Sequence, residues 1–508
     1  MITHEIVLPI VLPAVIAAVI ALTMRRDIAL ARTASLASAV ALLLLGIALV
    51  SLASDGSVRT YALGGWPAPF GIVLVLDRLS ALMLLLTAVL AVAVLLYAVN
   101  GWDTRGRHFH ALLQFQLMGL NGAFLTGDFF NLFVFFEVLL IASYGLMAHG
   151  GGARRVAAGV RYVVVNLAAS ALFLFAVGLL YAVTGTLNMA DLAVKVPEVA
   201  AADQALLRSG ALLLLLVFAV KGALVPLHFW LPDAYVNAPA PVAALFAVLT
   251  KVGAYAIIRL FTLAFGEGAG DAAWLAAPWL MPAAMLTLLL GMFGVLAARR
   301  LAAMVSFAVL GSMGTLLIAV ALFTPPALSA GLYYLLHSTL AAGALFLVAD
   351  LVAERRAGHG DALVAAPVFA QSGLLGALFV LGAIAMAGLP PMSGFIGKLL
   401  ILDAARDAFN RNWIWSLMLS TSLLAIIGFA RGGSSLFWKS ASFPGRLDAR
   451  QPMRAALTIT AAALLLAANA ALVVFAGPVT RYLDATAAQL FAPSDYIDAV
   501  LGAEGGNE

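Results

Sequence analysis

The sequence predicts an all-α polytopic membrane protein of about fourteen transmembrane helices, with two inverted five-helix repeats and with helices 7 and 12 broken. Three observations carry this. The 508 residues are 64% hydrophobic with mean hydropathy +1.07, and long apolar runs with few charges read as membrane spans. Fourteen such runs follow one another along the chain. Two of them, the seventh and the twelfth, are interrupted by proline with a lysine beside the break.

The runs fall near 5–24, 34–53, 72–98, 111–127, 129–148, 160–182, 209–231, 238–262, 274–297, 301–323, 328–350, 371–403, 412–430 and 455–477. The first lacks a basic leader and is followed by Arg25 and Arg26, so it reads as a first span with its N-terminus outside. That orientation places seventeen basic residues in cytoplasmic loops: Arg25, Arg26, Arg32, Arg105, Arg107, Arg154, Arg155, Arg161, Arg299, Arg300, Arg355, Arg356, Arg431, Lys439, Arg446, Arg450 and Arg454. The outer loops carry six, namely Arg59, Lys195, Arg208, Arg406, Arg411 and Arg481, or eight with Arg78 and Arg259 at outer run ends. The asymmetry supports both the orientation and the even count. Asp77 and Arg78 open the third run as a cap or a pair, and Asp350 and Arg161 sit at cytoplasmic run ends as interfacial groups.

Residues 186–207, with Asp191, Lys195, Glu198 and Asp203, read as a short amphipathic outer segment. Residues 478–508 read as a short interfacial C-terminal segment with a frayed tail from 501. No linker appears, so 1–508 reads as a single integral membrane domain.

The broken runs are Lys221-Gly-Ala-Leu-Val-Pro226-Leu-His228-Phe-Trp-Leu-Pro232 and Gly388-Leu-Pro390-Pro391-Met-Ser-Gly394-Phe-Ile-Gly397-Lys398. Proline removes a backbone donor and clashes with the preceding turn. At bilayer depth such a break persists only where protein or a water-filled cavity covers the freed groups. Interrupted helices in corresponding positions of two halves point to inverted repeats with a midplane site. The expected repeats are 111–262 (helices 4–8) and 274–430 (helices 9–13).

The charges inside the runs are few. Of five lysines, Lys221, Lys251 and Lys398 lie within apolar runs, and Glu137 is the one mid-run glutamate of seven. On insertion scales these four charges cost on the order of 10–14 kcal/mol together, so each is a functional candidate. Three amines cannot all be paired by one carboxylate, and proton exchange is the expected chemistry. The structural alternatives are an ion pair for Glu137 and permanent anchors for the lysines. His337, followed by Ser338 and Thr339, and the helix-10 hydroxyls of Ser306, Ser312 and Thr315 could carry water between the halves. His337 could equally be a satisfied packing residue, and His228 beside Pro226 is a weaker candidate still.

Several classes are excluded or unsupported. Cysteine is absent, which rules out disulfides and cysteine-ligated zinc or iron–sulfur centres in this chain. The seven histidines show no metal spacing, and no cofactor is expected. The net charge of +4 comes mostly from loop arginines and does not indicate nucleic acid. Gly394-Phe-Ile-Gly397-Lys398 lacks the spacing and the following hydroxyl of a phosphate loop. An enzyme acting alone is not expected.

At these residues the chain resembles the antiporter-like subunits shared by Mrp-type multisubunit cation/proton antiporters and respiratory complex I. The resemblance covers roughly residues 70–440 and is strongest from Lys221 through Asp233, Pro239 and Pro241 to Lys251. In that family a helix-5 glutamate, helix-7 and helix-8 lysines, a helix-11 histidine and a helix-12 lysine or glutamate form the central ion pathway. The resemblance implies those roles for Glu137, Lys221, Lys251, His337 and Lys398. Length, the fourteen helices and lysine in helix 12 resemble the D-type branch. Ser306 and Ser312 stand where some relatives place another ionisable group. The implied partners are other membrane subunits, protons, Na+ or K+, and the lipid of a bacterial inner membrane. Two readings stay open beside it: a proton-pumping subunit of complex I or a membrane hydrogenase, and a non-transporting scaffold.

Overall fold

The computed structural model describes residues 3–24, 26–442, 446–447 and 455–502. Arg25, Arg450 and Arg454, the side chain of Arg446 and the tail beyond residue 502 lie outside what is described. The chain opens with α1 (Leu8–Thr23) and α2 (Ile28–Ala53), then an antiparallel hairpin of β1 (Arg59–Ala62) and β2 (Val73–Leu76) in which Arg59 faces Leu76. There follow α3 (Arg78–Ala98), α4 (Phe109–Leu125), α5 (Phe129–Ala148), α6 (Ala153–Thr184), the short α7 (Met189–Lys195), α8 (Gln204–Lys221) and α9 (Trp230–Asn237). Next come α10 (Ala240–Leu263), α11 (Ala277–Ala297), α12 (Leu301–Ala321), α13 (Pro325–Arg355), α14 (Ser372–Ala387), α15 (Ser393–Ala404) and α16 (Arg411–Gly433). The chain closes with α17 (Ala455–Val474), α18 (Ala476–Phe491) and α19 (Ser494–Leu501).

Among the described residues, eleven helices are long and apolar enough to cross a membrane. The expected run 72–98 begins as strand β2, and Asp77 then starts α3 with a capping box that includes Ser80. The segment expected to be interfacial forms two helices, α18 and α19, and both are amphipathic. Arg355 and Arg356, expected in a solvated loop, turn inward instead. Arg355 donates to Gln371 Oε1, and Arg356 donates to the carbonyls of Gly360, Ala362 and Val364.

The bundle has an inner and an outer layer. The apolar window of α10 is buried over its whole length and that of α13 over 94%, whereas α2, α16 and α17 are buried over only a third. The outer helices leave large apolar side chains exposed, among them Leu44 and Ile47 of α2 and Leu419 and Leu423 of α16, as lipid-facing helices do. Close packing inside rests on glycine. Gly119 and Gly122 of α4 lie against Leu139 and Phe135 of α5; Gly291 and Gly294 of α11 lie in the same way against Gly311 and Phe307 of α12.

Polar groups are spent on helix junctions. Pro13 has no N–H, which frees the Pro9 carbonyl one turn earlier, and Asn121 Nδ2 of α4 donates to it at 2.7 Å. Asp77 and Arg259 form a buried ion pair, Nη1 to Oδ2, at 2.6 Å. The C-terminal helices cover this pair. Gln489 accepts from the Arg78 N–H and donates to the Gly56 carbonyl, Tyr482 donates to the Arg78 carbonyl, and the Arg259 guanidinium lies over the Tyr496 ring.

Candidate functional site

Both proline-marked interruptions are real gaps in helix. The α8 helix ends on Lys221 and helix resumes at Trp230; α14 ends on Ala387 and helix resumes at Ser393. Each gap frees carbonyls at depth, and each is answered from within the protein. At the first, the Trp230 indole Nε1 donates to the Val220 carbonyl (3.0 Å), and Thr287 Oγ1 of α11 accepts from the Val225 N–H (2.9 Å). At the second, Lys398 Nζ itself donates to the Ala387 carbonyl (2.8 Å) and to Ser422 Oγ of α16 (2.8 Å).

Neighbouring helices approach these gaps as closely as glycine allows. A Cβ on Gly253 of α10 would lie 2.6 Å from the Gly222 N. A Cβ on Gly394 would strike the Ala385 carbonyl and lie 2.7 Å from His337 Nε2.

The five charged or titratable residues singled out from sequence fall around these gaps. Lys221 is 8% exposed and donates to Asn166 Oδ1 of α6 at 3.1 Å. Its ammonium lies 6.0 Å from the Phe136 ring centre, and Glu137, the next residue on α5, is close enough to interact with it electrostatically. Glu137 is half-buried, and its Oε1 has no hydrogen-bond partner among the described residues. A small cavity beside Lys221 is walled by Phe136, Tyr162, Asn166, Trp230, Leu249 and Val252, the last two flanking Lys251 on α10. Lys251 is fully buried, and its Nζ has no hydrogen-bond partner among the described residues. His337 on α13 is also fully buried and feels both Lys251 and Lys398 electrostatically. Electrostatic reach thus joins Lys221 with Glu137, and His337 with both Lys251 and Lys398.

The supporting residues divide. Ser306, Ser312, Thr315, Ser338 and Thr339 are buried, and each donates to a carbonyl of its own helix three or four residues back. Their lone pairs stay available to water. Pro226, Pro390 and Pro391 lie at the gaps, and His228 is half-buried with Nδ1 unpartnered among the described residues.

Four side chains that sequence reasoning passed over complete the arrangement: Asn166 on Lys221, Ser422 on Lys398, and Ser393 with Asn469 on His337 Nδ1. Asn166 and Asn469 were legible in principle, as amides within apolar runs. Asp350, expected at an interface, is held in place. Its Oδ2 accepts from Tyr97 Oη (2.7 Å) and Trp102 Nε1 (2.6 Å), and it borders a cavity of about 480 Å³ at the ends of α6, α9, α10 and α12. Arg161 pairs with Asp233 at an exposed position, as a run-end residue should.

Known proteins share this arrangement of helices. The chain is 44% identical to the D subunit of a probable K+/H+ antiporter of Rhizobium meliloti (strain 1021), over 98% of each chain. It is 38% identical to the D subunit of the Na+/H+ antiporter of Bacillus subtilis (strain 168), over 94% of this chain and 95% of that one. It superposes with a TM-score of 0.88 on a chain of the Mrp complex from Dietzia sp. DQ12-45-1b, at 29% identity and with 99% and 100% of the two chains covered. Residues 126–427 match the transmembrane family described as NADH:quinone oxidoreductase/Mrp antiporter. The protein is a polytopic, all-helical membrane protein with the antiporter-like fold, and it belongs to the NADH:quinone oxidoreductase/Mrp antiporter family.

Proposed function

We propose that this chain is the D-type subunit of a multisubunit Na+/H+ or K+/H+ antiporter in a bacterial plasma membrane, and that it moves the protons. The observation that carries the reading is the set of four buried titratable groups and the half-buried Glu137 gathered around two helix gaps. Glu137, Lys221, Lys251, His337 and Lys398 would pass protons laterally, with water held by the α12 and α13 hydroxyls bridging the longer intervals. Among the described residues, none of the three lysines has a carboxylate within ion-pair distance, which suits groups that exchange protons better than fixed anchors. Cation exchange then draws on the proton gradient through the other membrane subunits.

The architecture we assign to this function has fourteen spans, with α8–α9 and α14–α15 each counting as one broken span. Residues 111–262 and 274–430 form two inverted repeats within one domain, and the N-terminus lies outside. The glycine packing supports the repeat. Gly119, Gly122 and Phe135 of the first unit correspond to Gly291, Gly294 and Phe307 of the second, each 172 residues further on (119 to 291, 122 to 294, 135 to 307). The identities of the relatives at 44% and 38% support the D-type assignment.

The test is transport by the whole complex in everted vesicles, with Glu137→Gln in this chain. Cation-induced collapse of the proton gradient should fall by on the order of 10²-fold, within the range of a lost proton-transfer group. Parent-level activity in a variant shown to assemble would sink the proposal.

A further inference from the structure

We infer that α17 reaches into the centre of the molecule to fix which nitrogen of His337 carries the proton, with Asn469 and Ser393 as the positioning residues. The inference rests on the reading of His337 as part of the proton row. It starts from a backbone carbonyl, which can only accept. The Asn469 side-chain atom 3.0 Å from the His337 carbonyl is therefore its NH2 group, which sets the amide orientation. The Asn469 Oδ1 then faces Ser393 Oγ at 2.7 Å, and an amide oxygen cannot donate. The single hydroxyl hydrogen of Ser393 is committed there. Ser393 Oγ lies 2.8 Å from His337 Nδ1, so in that pair Ser393 accepts and Nδ1–H donates. The longer 3.2 Å approach of Asn469 Nδ2 to Nδ1 is then a contact only. The opposite tautomer would set two lone pairs against each other at one of the two shorter distances.

The consequence falls on the other ring nitrogen. His337 Nε2 is left bare, and it has no hydrogen-bond partner among the described residues. The space before it is kept open because residue 394 is glycine; a Cβ there would stand 2.7 Å away. The charged groups that face this imidazole are Lys251 from α10 and Lys398 from α15, with the Tyr334 ring of its own helix 5.4 Å off. A bare nitrogen between two buried amines is poised to receive a proton from one and hand it to the other. A ring with its proton on Nε2 could not take up that proton. Ser393 of α15 accepts the proton, but the Asn469 that commits its hydroxyl comes from α17, which lies outside both ranges assigned to the repeats, and that gives α17 a chemical task.

The test uses the whole complex with 15N-labelled histidine. Solid-state NMR at neutral pH, with the His337 signals assigned by their loss in His337→Gln, should show the proton on Nδ1. In Ser393→Ala, which removes the acceptor of that proton, the spectrum should move towards a mixture of tautomers. Transport in vesicles should fall about tenfold, because a misplaced imidazole proton disables proton transfer without disturbing the fold. Ser393→Thr, which keeps the hydroxyl, should restore both. A parent spectrum with the proton on Nε2 overturns the inference whatever the variants do, and so does an unchanged tautomer in Ser393→Ala. Parent-rate transport by His337→Gln would be a different failure: it removes His337 from the proton row and leaves the tautomer result standing.

Discussion

The two helix gaps solve one problem in two ways. At the first, a neutral indole, Trp230, joins the Ala223 N–H on the Val220 carbonyl, and Lys221 is left to an amide and to the field of Glu137. At the second, the lysine itself takes the freed Ala387 carbonyl, steadied by Ser422. Lys221 is thus separate from the scaffold that holds its helix end, and Lys398 is part of it. Proton movement at Lys221 can proceed without loosening the backbone. At Lys398 the same event acts on a helix terminus, where a donor also complements the negative end of the dipole.

The sharpest way to break this comparison is to truncate both lysines. Lys221→Ala and Lys398→Ala should each lower transport by on the order of 10²-fold. Lys398→Ala should also lower the thermal stability of the purified complex, by about 1–3 kcal/mol and by more than Lys221→Ala, because it leaves a helix-end carbonyl, that of Ala387, without its donor, whereas Lys221→Ala leaves only the Asn166 side chain short of one. Equal stability losses in the two variants would erase the distinction.

Somewhat smaller effects should follow from crowding the gaps. Gly253→Ala places a methyl group 2.6 Å from the Gly222 N, and Gly394→Ala places one against the Ala385 carbonyl. Each should cost about 1–3 kcal/mol by overpacking, read as a drop in the yield of assembled complex and in its melting temperature. If Gly394→Ala costs stability but leaves transport intact, the open space before His337 has no role in the chemistry.

The smallest expected effect is an acid-dependent one, and it separates the gaps from the general scaffold. Asp103, in the loop between α3 and α4, is buried, which alone would raise its pKa. Hydrogen bonds from Arg32 (2.6 and 2.8 Å) and His110 (3.1 Å) outweigh burial and hold it at about 2, below the ordinary 3.8. Its contribution to stability is therefore complete above about pH 4 and is lost as the pH falls towards 2. Melting curves between those values should show the loss equally in the parent and in both lysine variants. Removal of the loss by Asp103→Asn would attribute it to this pair; persistence would place it elsewhere.

Much of this is legible in the residues alone. A charge in an apolar run has few explanations, so Glu137, Lys221, Lys251 and Lys398 stand out from composition. Proline marks both gaps for the same reason. The partners are harder to see, because Asn166, Ser393, Ser422 and Asn469 are uncharged, and an apolar run tolerates an amide or hydroxyl that bonds to its own helix. The inward turn of Arg355 and Arg356 is hidden because a charge at a run end is cheap in water, and nothing in the sequence says that Gln371 and three carbonyls wait nearby. The hairpin of β1 and β2 is partly masked by its own hydrophobicity, since Val73–Leu76 is as apolar as the helix it precedes.

The seal that α18 and α19 place over Asp77 and Arg259 has a bearing on biosynthesis. The residues that close it, Tyr482, Gln489 and Tyr496, follow α17 in the chain and leave the ribosome after the helices from α1 to α17. Until then the ion pair lacks the contacts that these three residues supply. Docking of α18 and α19 is thus the step that closes the ion pair from that side, and it comes later in synthesis than the helices that carry Asp77 and Arg259.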